Sequence, residues 1–101
     1  MQSTTLFKTI LYDMGETHEK KNARYGNAYY KTREKYPEII AGILNFKLGR
    51  LETLLSNPSL ENEESIEDTL LDMANYCVME LTARRMEAWQ NRNASTTGQA
   101  N

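Results

Sequence analysis

The chain has 101 residues, 40% hydrophobic and 26% charged, with 12 Lys and Arg against 14 Asp and Glu and a net charge of −2. That length suits one domain with a modest core, and the mild acidity disfavours generic duplex nucleic-acid binding, which needs a broad basic footprint. The lone cysteine, Cys77, can form no internal disulfide, no apolar run approaches the roughly 18 residues of a membrane span, and Met1–Thr5 lacks the features of a signal peptide, so a cytoplasmic protein in a reducing compartment is expected.

Along the chain, Leu6, Phe7, Ile10, Leu11 and Met14 recur at helical spacing and predict a first helix over about residues 4–22. Tyr25-Gly26-Asn27 breaks it, and the aromatic, basic stretch 28–36 is ambiguous between a short helix and a loop. Pro37 suits the first turn of a second helix, where its missing N–H is not needed. This helix carries Ile39, Ile40, Ile43, Leu44, Leu51, Leu54 and Leu55 and stops at Asn57-Pro58-Ser59. After the acidic stretch 61–64, Ser65 is a good N-cap with Asp68 three residues on. The third helix then carries Ile66, Leu70, Leu71, Met73, Ala74, Cys77, Val78 and Leu81 to about Trp89. From residue 93 onward no large apolar residue occurs, so 93–101 is expected to be a mobile tail on a single domain, 1–92. No repeat and no strand pattern is present. The expected fold is all-α, a three-helix antiparallel bundle completed by oligomerisation, most simply a homodimer packed through the second and third helices.

One feature of the second helix departs from a plain core pattern. At about 100° per residue from Ile39, its apolar face centres near 90°, with Lys47 at about 80° and Arg50 at about 20°. A cation in the middle of an apolar face costs several kcal/mol unless it finds an opposite charge. The first helix's stripe likewise continues past Met14 to Lys21, with His18 nearby. The third helix offers Asp68 and Asp72 at i, i+4, flanked by Glu64 and Asn75. That stripe lies nearly opposite its core-facing residues and so faces water, or a second subunit, when one subunit is considered alone. Two readings stay open: the cations snorkel at the bundle edge while the acids form a solvated face, or the cations hold a phosphate or other anion while the acids orient them or bind a metal.

Other candidates carry less. Tyr25, Tyr29, Tyr30 and Tyr36 stand among Lys21, Arg24, Lys31, Arg33 and Lys35, a mixture that can stack bases and hold phosphates but equally suits amphipathic tyrosines pinning a loop. His18 is the single histidine, which disfavours a zinc site. Cys77 falls on the expected core face and reads as a small buried hydrophobe. No Ser-His-Asp arrangement and no glycine-rich phosphate loop is recognisable.

Lys21-Asn22-Ala23-Arg24-Tyr25-Gly26, the 39–55 helix with Lys47 and Arg50, and Glu64-Ser65-Ile66-Glu67-Asp68-Thr69-Leu70-Leu71-Asp72-Met73-Ala74-Asn75-Tyr76 together resemble the nucleotide modification associated domain of the first type, a family common in phages and prophages. The likeness covers roughly residues 17–85. The Tyr-Gly turn and the DTLLDMANY helix are its specific parts, and the rest is generic helix. It implies a role in nucleotide or DNA-base modification, with Lys21, Asn22, Tyr25, Gly26, Lys47, Arg50, Asp68, Asp72 and Asn75 as ligand-binding positions. Catalytic residues are not assigned. Asn45-Phe46 stands where an acidic residue commonly precedes the lysine, which puts chemistry at that position in doubt. A more distant likeness to MazG-like nucleotide pyrophosphohydrolases makes magnesium possible, held by Asp68 and Asp72 if by any residue, but the second helix has no EExxE motif and two-metal hydrolysis wants more facing carboxylates. The expected function is binding of a nucleotide phosphate by the basic residues of the middle helix. The alternatives are magnesium-dependent pyrophosphohydrolysis, or a phage helical module that binds a host protein.

Overall fold

In the computed structural model, which describes residues 2–25, 27–57 and 63–99, the chain is helical throughout, with no strand among the described residues. The 3–4 residue apolar spacing near the start carries α1, Ser3–Tyr25. Then follow α2, Ala28–Lys35, α3, Ile39–Ser56, and the long α4, Glu63–Gln99.

Four helices therefore stand where the pattern predicts three. The ambiguous segment is helical because Asn27 adopts a left-handed conformation, φ 62°, which asparagine tolerates better than most residues. The chain thus turns within a residue or two and starts a new helix instead of looping. The Tyr36 N–H closes α2 on the Thr32 carbonyl at 2.9 Å, and the Ile39 N–H bonds the Tyr36 carbonyl at 3.0 Å. Pro37 thus lies in the turn ahead of α3, not in its first turn. Helix α4 continues to Gln99, past the end expected near Trp89. Extending a formed helix adds a hydrogen bond per residue and needs no new nucleus.

Helices α3 and α4 form an antiparallel hairpin whose register is visible in its polar rungs. Lys47 meets Asp72, and three residues later Arg50 meets Thr69. Helix α2 runs parallel to α4, since Tyr29 packs against Tyr76 while Arg33, one turn on, pairs with Glu80 and Glu87. Helix α1 lies antiparallel along α4. Leu11 and Gly15 share a cleft with Val78 and Thr82, and Lys21 shares another with Asp72 and Asn75.

The expected face of α3 is the one that packs. Ile39, Ile40, Ile43, Leu44, Leu51 and Leu54 are all half-buried with Lys47 among them. The expected core face of α4 is not. Leu70, Cys77 and Leu81 are exposed, Ile66 and Met73 only half-buried, and among the described residues the buried ones are Thr69, Met79, Glu80 and Ala83. The cations of α3 account for the rotation. Packed against Leu70 and Cys77, Lys47 would be buried without a partner, at a cost of several kcal/mol; packed as observed, it faces Asp72. Small Thr69 and Ala83 let the helices approach. Asp72 accordingly points to α3 within one chain, where the periodicity places it toward water or a second subunit.

Candidate functional site

A cleft of about 340 Å³ lies where all four helices meet. Lys21 and Asn22 reach it from the last turns of α1, Tyr29 from α2, Ile43 from α3, and Asp72, Asn75 and Tyr76 from successive turns of α4. The spacing on α4 explains the convergence. Positions 72, 75, 76 and 79 lie on one helical stripe, the stripe that the Lys47–Asp72 rung turns inward. Four of the residues singled out from sequence, Lys21, Asn22, Asp72 and Asn75, come together here from segments some 50 residues apart.

The aromatic walls are held in place. Tyr29 and Tyr76 have ring centroids 5.7 Å apart at 51°, and Tyr30 stands edge-on to Tyr29 at 5.8 Å. His18, which also lines the cleft, meets Tyr30 edge-on at 6.4 Å. The Asn22 side-chain amide donates to the Asn27 side-chain carbonyl, tying the end of α1 to the left-handed turn. Burial raises the Tyr30 phenol above its ordinary range. The Tyr29 phenol is raised far above it, by burial first and then by its hydrogen bond to Glu80.

Lys47 lies in the adjoining groove beside Ile43 and Tyr76. Its Nζ donates to Asp72 Oδ2 at 3.0 Å, with side-chain exposures of 24% and 43%. Asp72 is thus the link between the cleft and the cation predicted to bind phosphate. Arg50 is one turn farther along. Its Nε donates to Thr69 Oγ1 at 3.3 Å, and that hydroxyl donates to the Ser65 carbonyl at 2.7 Å. Arg50 is exposed and not among the residues lining the cleft, so it forms an outer cationic step. Asp68 is likewise exposed and outside the lining. Gly26 and the side chains of Tyr25 and Glu64 lie outside the described residues. Among those that are described, no group of three or more His, Cys, Asp or Glu side chains gathers to hold a metal ion.

Behind the aromatic wall is a cluster that periodicity and motif reading miss. Glu80, 6% exposed, accepts hydrogen bonds from Tyr29 Oη at 2.8 Å, from Arg33 Nε and Nη2 at 2.8 and 3.0 Å, and from Arg84 Nε at 2.7 Å. Arg33 also reaches Glu87 at 2.9 Å. The Arg33 bonds, helped by those from Tyr29 and Arg84, outweigh burial and lower the Glu80 pKa to about 2. Its bonds to Glu80 and Glu87 raise that of Arg33. The network orients Tyr29 and clamps α2 over the cleft. The available signal was a lone acid inside the apolar run Val78-Met79-Glu80-Leu81, with a cation-rich segment upstream to answer it.

A family profile described as nucleotide modification associated domain 1 matches residues 21–83. The matched span opens on Lys21 and takes in α2, α3 and the stretch of α4 that lines the cleft. No curated protein and no solved structure matches the chain.

Proposed function

The chain belongs to the nucleotide modification associated domain 1 family, and on that premise we propose that it binds a nucleotide in the four-helix cleft as part of a nucleotide or DNA-base modification pathway. The observation that carries the reading is the convergence of Lys21, Asn22, Asp72 and Asn75 on a cleft that Tyr29 and Tyr76 also line. Each group has work in such a site. The tyrosine faces offer a stacking surface, and the asparagine carboxamides carry both donors and acceptors, as a base edge requires. Lys21 supplies a compact positive charge for phosphate, and Lys47 supplies a second once the ligand's anion competes with Asp72 for it. Arg50 is the outer contact. A volume near 340 Å³ lies within the range of ligand sites, about 300–1,000 Å³.

Magnesium-dependent hydrolysis draws less support from the geometry. Asp68 is exposed and Asp72 is engaged by Lys47, so the two acids do not form a facing carboxylate set. The protein is proposed to act as a homo-oligomer in the cytoplasm of a phage-infected or prophage-carrying cell, the setting that the family likeness supports.

A thermal-shift panel of ribo- and deoxynucleotides, with and without magnesium, tests this reading. A ligand at about 100 times its dissociation constant adds about 2.7 kcal/mol, which for a domain near this size raises Tm by roughly 10 °C or more. A response to nucleotides without magnesium is the expected result. Silence across the panel at millimolar ligand refutes nucleotide binding, and a response that appears only with magnesium, together with pyrophosphate release, replaces it with the hydrolase.

A further inference from the structure

The accessible surface of the chain is 8258 Å². A compact monomer of 11.7 kDa exposes about 5,900 Å² by the scaling that folded proteins follow. The excess is about 2,400 Å² per chain; doubled, it falls within the roughly 2,000–5,000 Å² that obligate homodimers bury. The chain is elongated, 65 × 33 × 24 Å along its principal axes, because α4 alone runs for 37 residues. Among the described residues, Met79 and Ala83 are the buried hydrophobic ones.

The missing core is on the outside, and much of it is on one face. Leu6, Phe7 and Ile10 of α1 are 48%, 64% and 42% exposed, and Leu70, Val78 and Leu81 of α4 are 49%, 47% and 51% exposed. Between the two helices runs a groove floored by Ile10, Met14, Leu70, Leu71 and Ala74. An apolar surface of this extent marks an association site.

We infer that a second copy of this chain packs on the α1/α4 face, and that its presence completes the wall of the cleft. The occupant is a second copy because, among the described residues, the chain buries few apolar side chains of its own. A partner that covers this face must be present wherever the chain is made, and the one that always meets this condition is a second copy of the chain itself. Such a face pairs about a two-fold axis, each copy laying its α1 and α4 stripes on the other's. Helix α3 also exposes Phe46, Leu48 and Leu55, but the apolar groove runs between α1 and α4, so the second copy is placed there and not on the α3/α4 surface that periodicity favours. The consequence for the cleft rests on the nucleotide-binding reading: Lys21, Asp72 and Asn75 line both the groove and the cleft, so a chain seated in the groove shuts the cleft's open side.

Light scattering and equilibrium sedimentation of the full chain over about 2–200 µM, together with melts at both ends of that range, test the inference. The expected mass is about twice 11.7 kDa, with Tm rising as concentration rises. Ile10→Glu and Leu70→Glu should shift the mass toward one chain, while Leu55→Glu, on α3 and 61% exposed, should leave it unchanged. A folded monomer with a concentration-independent Tm overturns the inference, whether or not the variants fold. So does a dimer that Leu55→Glu dissociates and Ile10→Glu does not, or a chain that is monomeric until a different protein is added. A dimer with no nucleotide response upholds this face and refutes the ligand reading, so the two fail separately.

Discussion

Replacing Glu80 by glutamine removes one charge from the most enclosed polar cluster of the protein and almost no volume. In the parent, the Glu80 carboxylate is 6% exposed and accepts from Tyr29, both faces of the Arg33 fork, and Arg84. Arg33 has a side chain 11% exposed, and its other acidic partner is Glu87, at 57%. In Glu80→Gln the guanidinium loses its buried counter-charge, and one amide N–H₂ points at donors. Two magnitudes agree. Removing one partner of a buried pair costs about 3–5 kcal/mol, and a carboxyl whose pKa falls from 4.5 to about 2 on folding contributes on the order of 3 kcal/mol at neutral pH. Circular-dichroism melts at fixed chain concentration should therefore show a drop in Tm of roughly 10–20 °C. Glu80→Met with Arg33→Met, which removes both charges, should restore most of the loss. A Glu80→Gln protein within about 0.5 kcal/mol of the parent, or a double variant as weak as the two single losses added together, refutes the clamp.

The same carboxylate sets an acid limit. Its folded pKa is depressed, so its contribution is present above pH about 4.5 and is lost as pH falls toward about 2; the parent should destabilise across that window more steeply than Glu80→Gln, and parallel acid limbs would contradict this. Lys47→Met should leave stability within about 1 kcal/mol of the parent, because the stranded Asp72 is 43% exposed and water can solvate it, and it should weaken the nucleotide-induced shift at least several-fold; an intact shift would remove Lys47 from the site.

The sequence reveals the helices and much of the cleft for different reasons. Helix α3 is legible because the apolar residues that pack occupy one face, and Lys47 on that face asks for an opposite charge; the sequence offers Asp68 and Asp72 for it without choosing, and the fold pairs it with Asp72. The α4 face is not legible, because Leu70, Cys77 and Leu81 share the helix with Met79 and Ala83 on another side, and apolarity alone cannot rank two greasy faces. Charge decides between them, and charge acts across helices whose register local pattern does not contain. Helix α2 hides for a third reason: the residue that permits it, Asn27, does so through a backbone conformation and not through hydrophobic spacing. Lys21, Asn22, Asp72 and Asn75, singled out in the sequence, line one cleft. Arg50 and Asp68 stand outside that group; Tyr29, already notable among the tyrosines, and Tyr76 line the same cleft, and Glu80 holds Tyr29 from behind.

The hairpin of α3 and α4 joins neighbours in the chain, so it forms with little loop closure, whereas α1 must return to α4 from more than fifty residues away. Folding should accordingly proceed in two stages, and the cleft straddles them. Lys47, Asp72, Asn75 and Tyr76 belong to the early unit. Lys21 and Asn22 arrive with α1, and Tyr29 with α2 once Arg33 meets Glu80. Amides of α1 should then exchange with solvent through partial openings that leave the hairpin intact. A ligand that bridges Lys21 to Asn75 would slow that exchange selectively, so that binding is readable as a change in the order in which the protein comes apart.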